Sequence, residues 1–248
     1  MIPAPSPDAQ LAFLAKLQRL FAEGEFTSTY KFALVIALAN LAVERGGDDG
    51  EPLRVPNRSI ASKFIELYWQ QTAPYSTGRT GTEPGVLAQN RGFRAAVITA
   101  IVEFRQDNPT STAQSARTMP GYIALLQQVA ETVSAQPLNY LQNLGGQTDQ
   151  FLYERARGAT ILQPGVAYCL RRFQPLIQQL ARSHWIAHVK HNRLNVPLLG
   201  NDDDLEAFLF ETPRQALSII CAGLRGLGLL CTSRQRTCLS DRTDAATT

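Results

Sequence analysis

The three histidines of the chain, His184, His188 and His191, lie within eight residues of one another at spacings of four and three. On a helix those spacings put all three side chains on one face. Neutral imidazoles so placed could ligate zinc or nickel. A site built from a single helix needs further ligands from elsewhere, and the sequence identifies none. The apolar stripe Phe173, Ile177 and Leu180 runs straight into the same face. A partly buried or solvated helix face is therefore the simpler account, and no metal is assigned. Asp202, Asp203, Asp204 and Glu206 form an acidic cluster that could attract a divalent cation. At the start of a helix, capping and the helix dipole explain it better. The sequence holds no Gly-x-x-x-x-Gly-Lys-Ser/Thr, Gly-x-Gly-x-x-Gly, His-Glu-x-x-His or Gly-x-Ser-x-Gly motif. Phosphate-cradling loops and serine hydrolysis lose support accordingly.

Basic residues beside aromatic ones form the second constellation. Lys31 follows Tyr30, and Arg54, Arg58 and Lys63 cluster ahead of Tyr68 and Trp69. Arg171, Arg172, Arg182, Lys190 and Arg193 dot a long helical stretch. Lys31, Arg54, Arg58, Lys63, Arg171 and Arg172 are the candidate nucleic-acid-binding residues. The plainer alternative is a solvated face with its aromatics turned into the core. A strand running into a helix over 53–70 is how a winged-helix unit would begin, but a loop follows where a compact second helix is needed. Lys plus Arg number 24 against 21 Asp plus Glu, with a pI of about 8.7. That balance permits a nucleic-acid partner without requiring one.

The elements that must position these residues are mostly helices. Leu11, Leu14, Leu17, Leu20 and Phe21 predict an amphipathic helix over 8–22, with Asp8 as its N-cap. A second helix begins near Thr27 to Thr29 and reaches about Glu44; being apolar nearly all round, it belongs at the centre of a core. Leu53 and Val55 predict a short strand, and the 56–59 segment launches a third helix through Trp69. Residues 72–85 read as a flexible loop. Helices follow over 92–106 and 120–135, and a small hairpin turns at Arg157-Gly158. The longest helix is expected from Pro164 to about Arg193, bending at Pro175, with a short helix over 205–210 and a last amphipathic helix over about 213–227 after it.

With 248 residues and 44% hydrophobic content, the chain can bury one sizeable core. The expected fold class is mainly α: a multi-helix domain over 1–230 with one small β-hairpin, and a disordered C-terminal tail over 231–248. No apolar run reaches the roughly 18 residues of a membrane span. The N-terminus has no signal-type stretch, so the expectation is a cytoplasmic protein without membrane contact. Cys169, Cys221, Cys231 and Cys238 are scattered, which argues for reduced thiols and against a zinc ribbon.

Several phrases resemble the N-terminal region of bacterial HNH-endonuclease-domain proteins. They are FAEGEFTSTYKFAL from Phe21, IASKFIELYWQQ from Ile60, FQPLI from Phe173 with Trp185 downstream, and DLEAFLF from Asp204 before Arg214. In order, they cover about 17–224. The resemblance implies that a Cys-x-x-Cys segment and an Asp-His pair should follow, the latter belonging to a ββα-metal nuclease whose divalent ion stabilises the scissile phosphate. Here Cys231 and Cys238 are wrongly spaced and no histidine follows His191. No catalytic residue carries over, no cofactor is assigned to this chain, and any divalent metal would belong to the missing nuclease module. The change to patternless polar sequence after Leu224 to Leu230 leads us to expect a truncated or frameshifted relative. The functional expectation is a helical targeting or scaffold region without nuclease activity of its own, with DNA as candidate partner. The alternatives are a stand-alone nucleic-acid-binding module or a helical protein-interaction module.

Overall fold

Proline at the first helical position sets where the chain first becomes regular. Helix α1 (Pro7–Glu23) is capped by Ser6, whose Oγ accepts from the Ala9 amide at 3.3 Å. The expected cap, Asp8, instead lies in the first turn, because the fixed φ of Pro7 already starts the helix. In the computed structural model the described residues are 2–24, 26–75, 84–92, 94–144, 146–199 and 205–210. Most of the expected 72–85 loop, the 213–227 helix, the 231–248 tail, Asp202 to Asp204, and Cys221, Cys231 and Cys238 lie outside the described residues.

Helix α2 (Tyr30–Arg45) is the central element, with every residue from Tyr30 to Ala39 buried. Each fully buried Leu, Ile or Phe there contributes about 1.5–3 kcal/mol. Strand β1 (Leu53–Pro56) leads directly into α3 (Asn57–Trp69), and α4 (Ala96–Asp107) and α5 (Tyr122–Ala135) follow. The sequence reading did not anticipate α6 (Pro137–Tyr140) or the two-residue pair β2 (Asn143–Leu144) and β3 (Gln147–Thr148). The expected hairpin is β4 (Tyr153–Ala156) and β5 (Ala159–Leu162), closed by the two-residue turn Arg157-Gly158 with Gly158 at φ 68°.

That hairpin does not stand alone. Strand β1 pairs antiparallel with β5, giving a three-stranded sheet of order β1-β5-β4. Leu53, Leu162 and Tyr153 share one row facing the core, and Arg54, Ile161 and Glu154 share a row on the opposite face.

The long C-terminal helix is two helices, α7 (Val166–Arg172) and α8 (Gln174–His191). The break falls at Phe173, φ −102° and ψ 15°, two residues ahead of the expected bend. Pro175 lacks the N–H that would reach residue 171, and its ring crowds that carbonyl, so the turn before it cannot stay helical. Phe173 nevertheless donates to the Cys169 carbonyl at 3.0 Å and accepts from Ile177 at 2.9 Å, which keeps both helix ends satisfied. Helix α9 (Leu205–Phe210) closes the described chain, its Phe210 ring edge-on to Trp185 at 5.4 Å. Helix α2 packs on α7 and α8, and α3 packs on α2, α4 and α5. The fold is mainly α around one core, within which Trp185 donates to Gln89 Oε1 at 2.9 Å and Thr29 and Tyr68 share a 2.6 Å hydroxyl hydrogen bond. Among the described residues no helix is long and apolar enough to cross a membrane.

Candidate nucleic-acid interface

Asn57, the first residue of α3, ties that helix to the hairpin turn. Its amide donates to the Gly158 carbonyl at 3.0 Å, and its Oδ1 accepts from the Thr160 hydroxyl at 3.1 Å. Arg58 therefore emerges beside the turn that carries Arg157, and Arg54 lies on the outward row of β1. All three arginines are exposed, and none is ion-paired among the described residues.

Helix α5 borders the same surface. Ser62, one helical turn beyond Arg58, lies 3.4 Å from the Tyr122 hydroxyl at the start of α5. At the other end of α5, Arg155 of β4 donates to the Ser134 carbonyl at 3.1 Å and to the Ser134 hydroxyl at 3.3 Å, and it also bonds Asn139 Oδ1. Both ends of α5 are thus pinned, one to α3 and one to the hairpin. Its inward residues Tyr122, Leu125, Val129 and Val133 are buried at helical spacing. Ile123, Ala124, Gln127, Gln128 and Glu131 face outward.

Gln142 holds the hairpin from outside. It is buried, and its Oε1 accepts from the amides of Leu152 and Tyr153 at 2.8 and 3.1 Å while its Nε2 donates to the Tyr153 carbonyl at 3.0 Å. One side-chain amide thereby supplies what a neighbouring strand would give to the edge strand β4.

The six candidate basic residues do not form one surface. Arg54 and Arg58 come together with Arg157, which the sequence reading treated only as a turn residue. Lys63 is engaged by Glu44 at 2.5 Å and Glu66 at 3.4 Å, with its side chain 15% exposed. Arg171 binds Asp48 at 2.7 Å and the Gly46 carbonyl at 3.4 Å, fastening α7 to the turn after α2. Lys31 is buried, its Nζ 5.4 Å from the centre of the Phe26 ring. Arg172 is exposed on the last turn of α7.

The histidines pack against rings. His184 stacks on Phe21 at 5.1 Å and 17°, and His188 lies edge-on to Phe32 at 6.1 Å. Burial holds the His188 imidazole below its usual range, with Arg91 and His191 pushing the same way. Its Nε2 is buried without a hydrogen-bond partner among the described residues. His191 is exposed, with Nδ1 2.6 Å from the Ala187 carbonyl oxygen. Among the described residues, no three His, Cys, Asp or Glu side chains converge to hold a metal ion.

Helix α2, strand β1, helices α3 and α5, then the hairpin β4–β5 with β1 against β5, reproduce the order of elements and strands in a winged helix. Helix α4 is inserted between the two middle helices, and α6 with the β2–β3 pair between α5 and the hairpin. Where the sequence predicts a loop in place of a compact second helix, that position in the order is taken by α5, which begins more than fifty residues after α3 ends. A family model described as a domain of unknown function (DUF8808) matches residues 10–198, a span that includes every element of this arrangement. No curated protein and no solved structure matches the chain.

Proposed function

The chain belongs to the DUF8808 family, and we propose, from the exposed arginines and from the resemblance of its sequence phrases, that it is the nucleic-acid-targeting region of an HNH-endonuclease-like protein. The observation that carries this reading is the surface formed by Arg54, Arg58 and Arg157 on the sheet and helices just described. Three exposed guanidiniums without ion-pair partners among the described residues are free to take phosphate oxygens by charge-assisted hydrogen bonds. The helix–strand–helix–helix–hairpin order supports the same reading by analogy of fold. Phosphodiester hydrolysis would be supplied by a separate metal module, as the resemblance to HNH proteins implies, and this chain by itself would bind without cutting.

The test is fluorescence anisotropy of a labelled duplex titrated with the full chain over a range of salt concentrations. Replacing Arg54, Arg58 and Arg157 with alanine together should flatten the log K against log salt slope by about 0.9 per lost phosphate contact. Lys63→Ala should leave the slope unchanged, since its charge already has two carboxylate partners. Absence of salt-dependent binding by the unaltered chain would overturn the reading, and metal-dependent cleavage in magnesium or manganese would overturn its non-nuclease part.

A further inference from the structure

We infer that α5 enters the major groove of duplex DNA and that Ile123, Gln127 and Gln128 read A·T pairs there. The inference rests on the nucleic-acid reading above and assigns its base-contacting residues. Helix α5 has 14 residues, so it is about 21 Å long, and an α-helix with its side chains matches the width of the major groove. Its outward face carries neither lysine nor arginine. Phosphate contact on this surface therefore falls to Arg58 and Arg157, which flank the helix through the Ser62–Tyr122 and Arg155–Ser134 contacts. What α5 itself presents suits base edges. A glutamine carboxamide offers the acceptor and donor pair that matches N6 and N7 of adenine, and an aliphatic group packs on the thymine methyl.

Ile123 is 66% exposed at the start of the helix, the end whose residues contact bases in helix-turn-helix proteins. Gln127 donates to Glu131 at 3.2 Å in the free protein, an exposed bond that a base can replace at little cost. The arginine that reads guanine, the commonest specific contact, is missing from this face, so the glutamines, which match adenine bidentately, set its preference.

The full chain is incubated with a pool of random duplexes, and the retained fraction is sequenced. The expected result is enrichment of a short A·T block. Gln127→Ala with Gln128→Ala should abolish that enrichment and weaken binding to the selected duplex about tenfold or more, while binding to unselected duplex stays within about twofold. Because both glutamines are exposed, an unchanged circular dichroism melt is expected for the variant. Retention without sequence preference, a G·C preference, or an A·T preference untouched by the double variant would each overturn the inference while leaving the targeting reading standing. Failure of the unaltered chain to retain any duplex would remove both together.

Discussion

Replacing Gln142 with leucine tests how the hairpin is held. The change conserves volume, so it removes three buried hydrogen bonds with little cavity. It strands the amides of Leu152 and Tyr153 and the carbonyl of Tyr153, on residues each only 1% exposed. A buried backbone group without a partner costs about 1–3 kcal/mol, and an edge strand can recover part of that by admitting water. We expect a loss of about 3–5 kcal/mol, a large share of a domain stability on the order of 5–15 kcal/mol. Equilibrium urea unfolding followed by far-ultraviolet circular dichroism reads this as a lower midpoint at an unchanged slope. Amide exchange localises it, since the protection of Leu152 and Tyr153 should fall before that of α2. A destabilisation below about 1 kcal/mol, with both amides still protected, would refute the account of Gln142 as a substitute strand.

Two further outcomes follow from buried groups. His188 is held neutral by burial, so the unfolded chain takes up a proton near pH 6.5 that the folded chain resists; stability present above that pH is lost as pH falls below it. Lowering the pH from about 7.5 to about 5.5 should therefore cost the unaltered protein more than His188→Asn, and parallel urea midpoints for the two would contradict this. Burial pushes the Cys169 thiol up to about 11 and leaves the residue 2% exposed. Iodoacetamide at about pH 8 should alkylate it on the order of a hundredfold more slowly in the native than in the denatured chain, as mapped by mass spectrometry; equal rates would show an accessible thiolate.

Local order was readable where it depends on near neighbours in sequence. The apolar run from Phe32 to Val43 marks α2 as central because it is apolar nearly all round, and the structure buries it from Tyr30 through Ala39 while leaving Val43 exposed. The β4–β5 hairpin announces itself through two apolar runs around Arg157-Gly158, since only a residue tolerant of positive φ closes so tight a turn. The candidate site was legible only in part. Arg54 and Arg58 were picked out by clustering, but Arg157 was hidden by its role in a turn. Lys63 and Arg171 looked equivalent to the exposed arginines until Glu44 and Asp48 were brought beside them.

What the amino-acid order determined by itself is the longer helices α1 to α5 and the β4–β5 hairpin, because apolar spacing and turn residues act over a few positions. Tertiary structure decided that β1 would join β5, pairing Leu53 with Leu162, and that α5 would lie against α3 across a long insertion. It also decided which guanidiniums stay in water and which meet a carboxylate. Such choices depend on surfaces supplied by distant segments, and no local pattern in either partner encodes the distance between them.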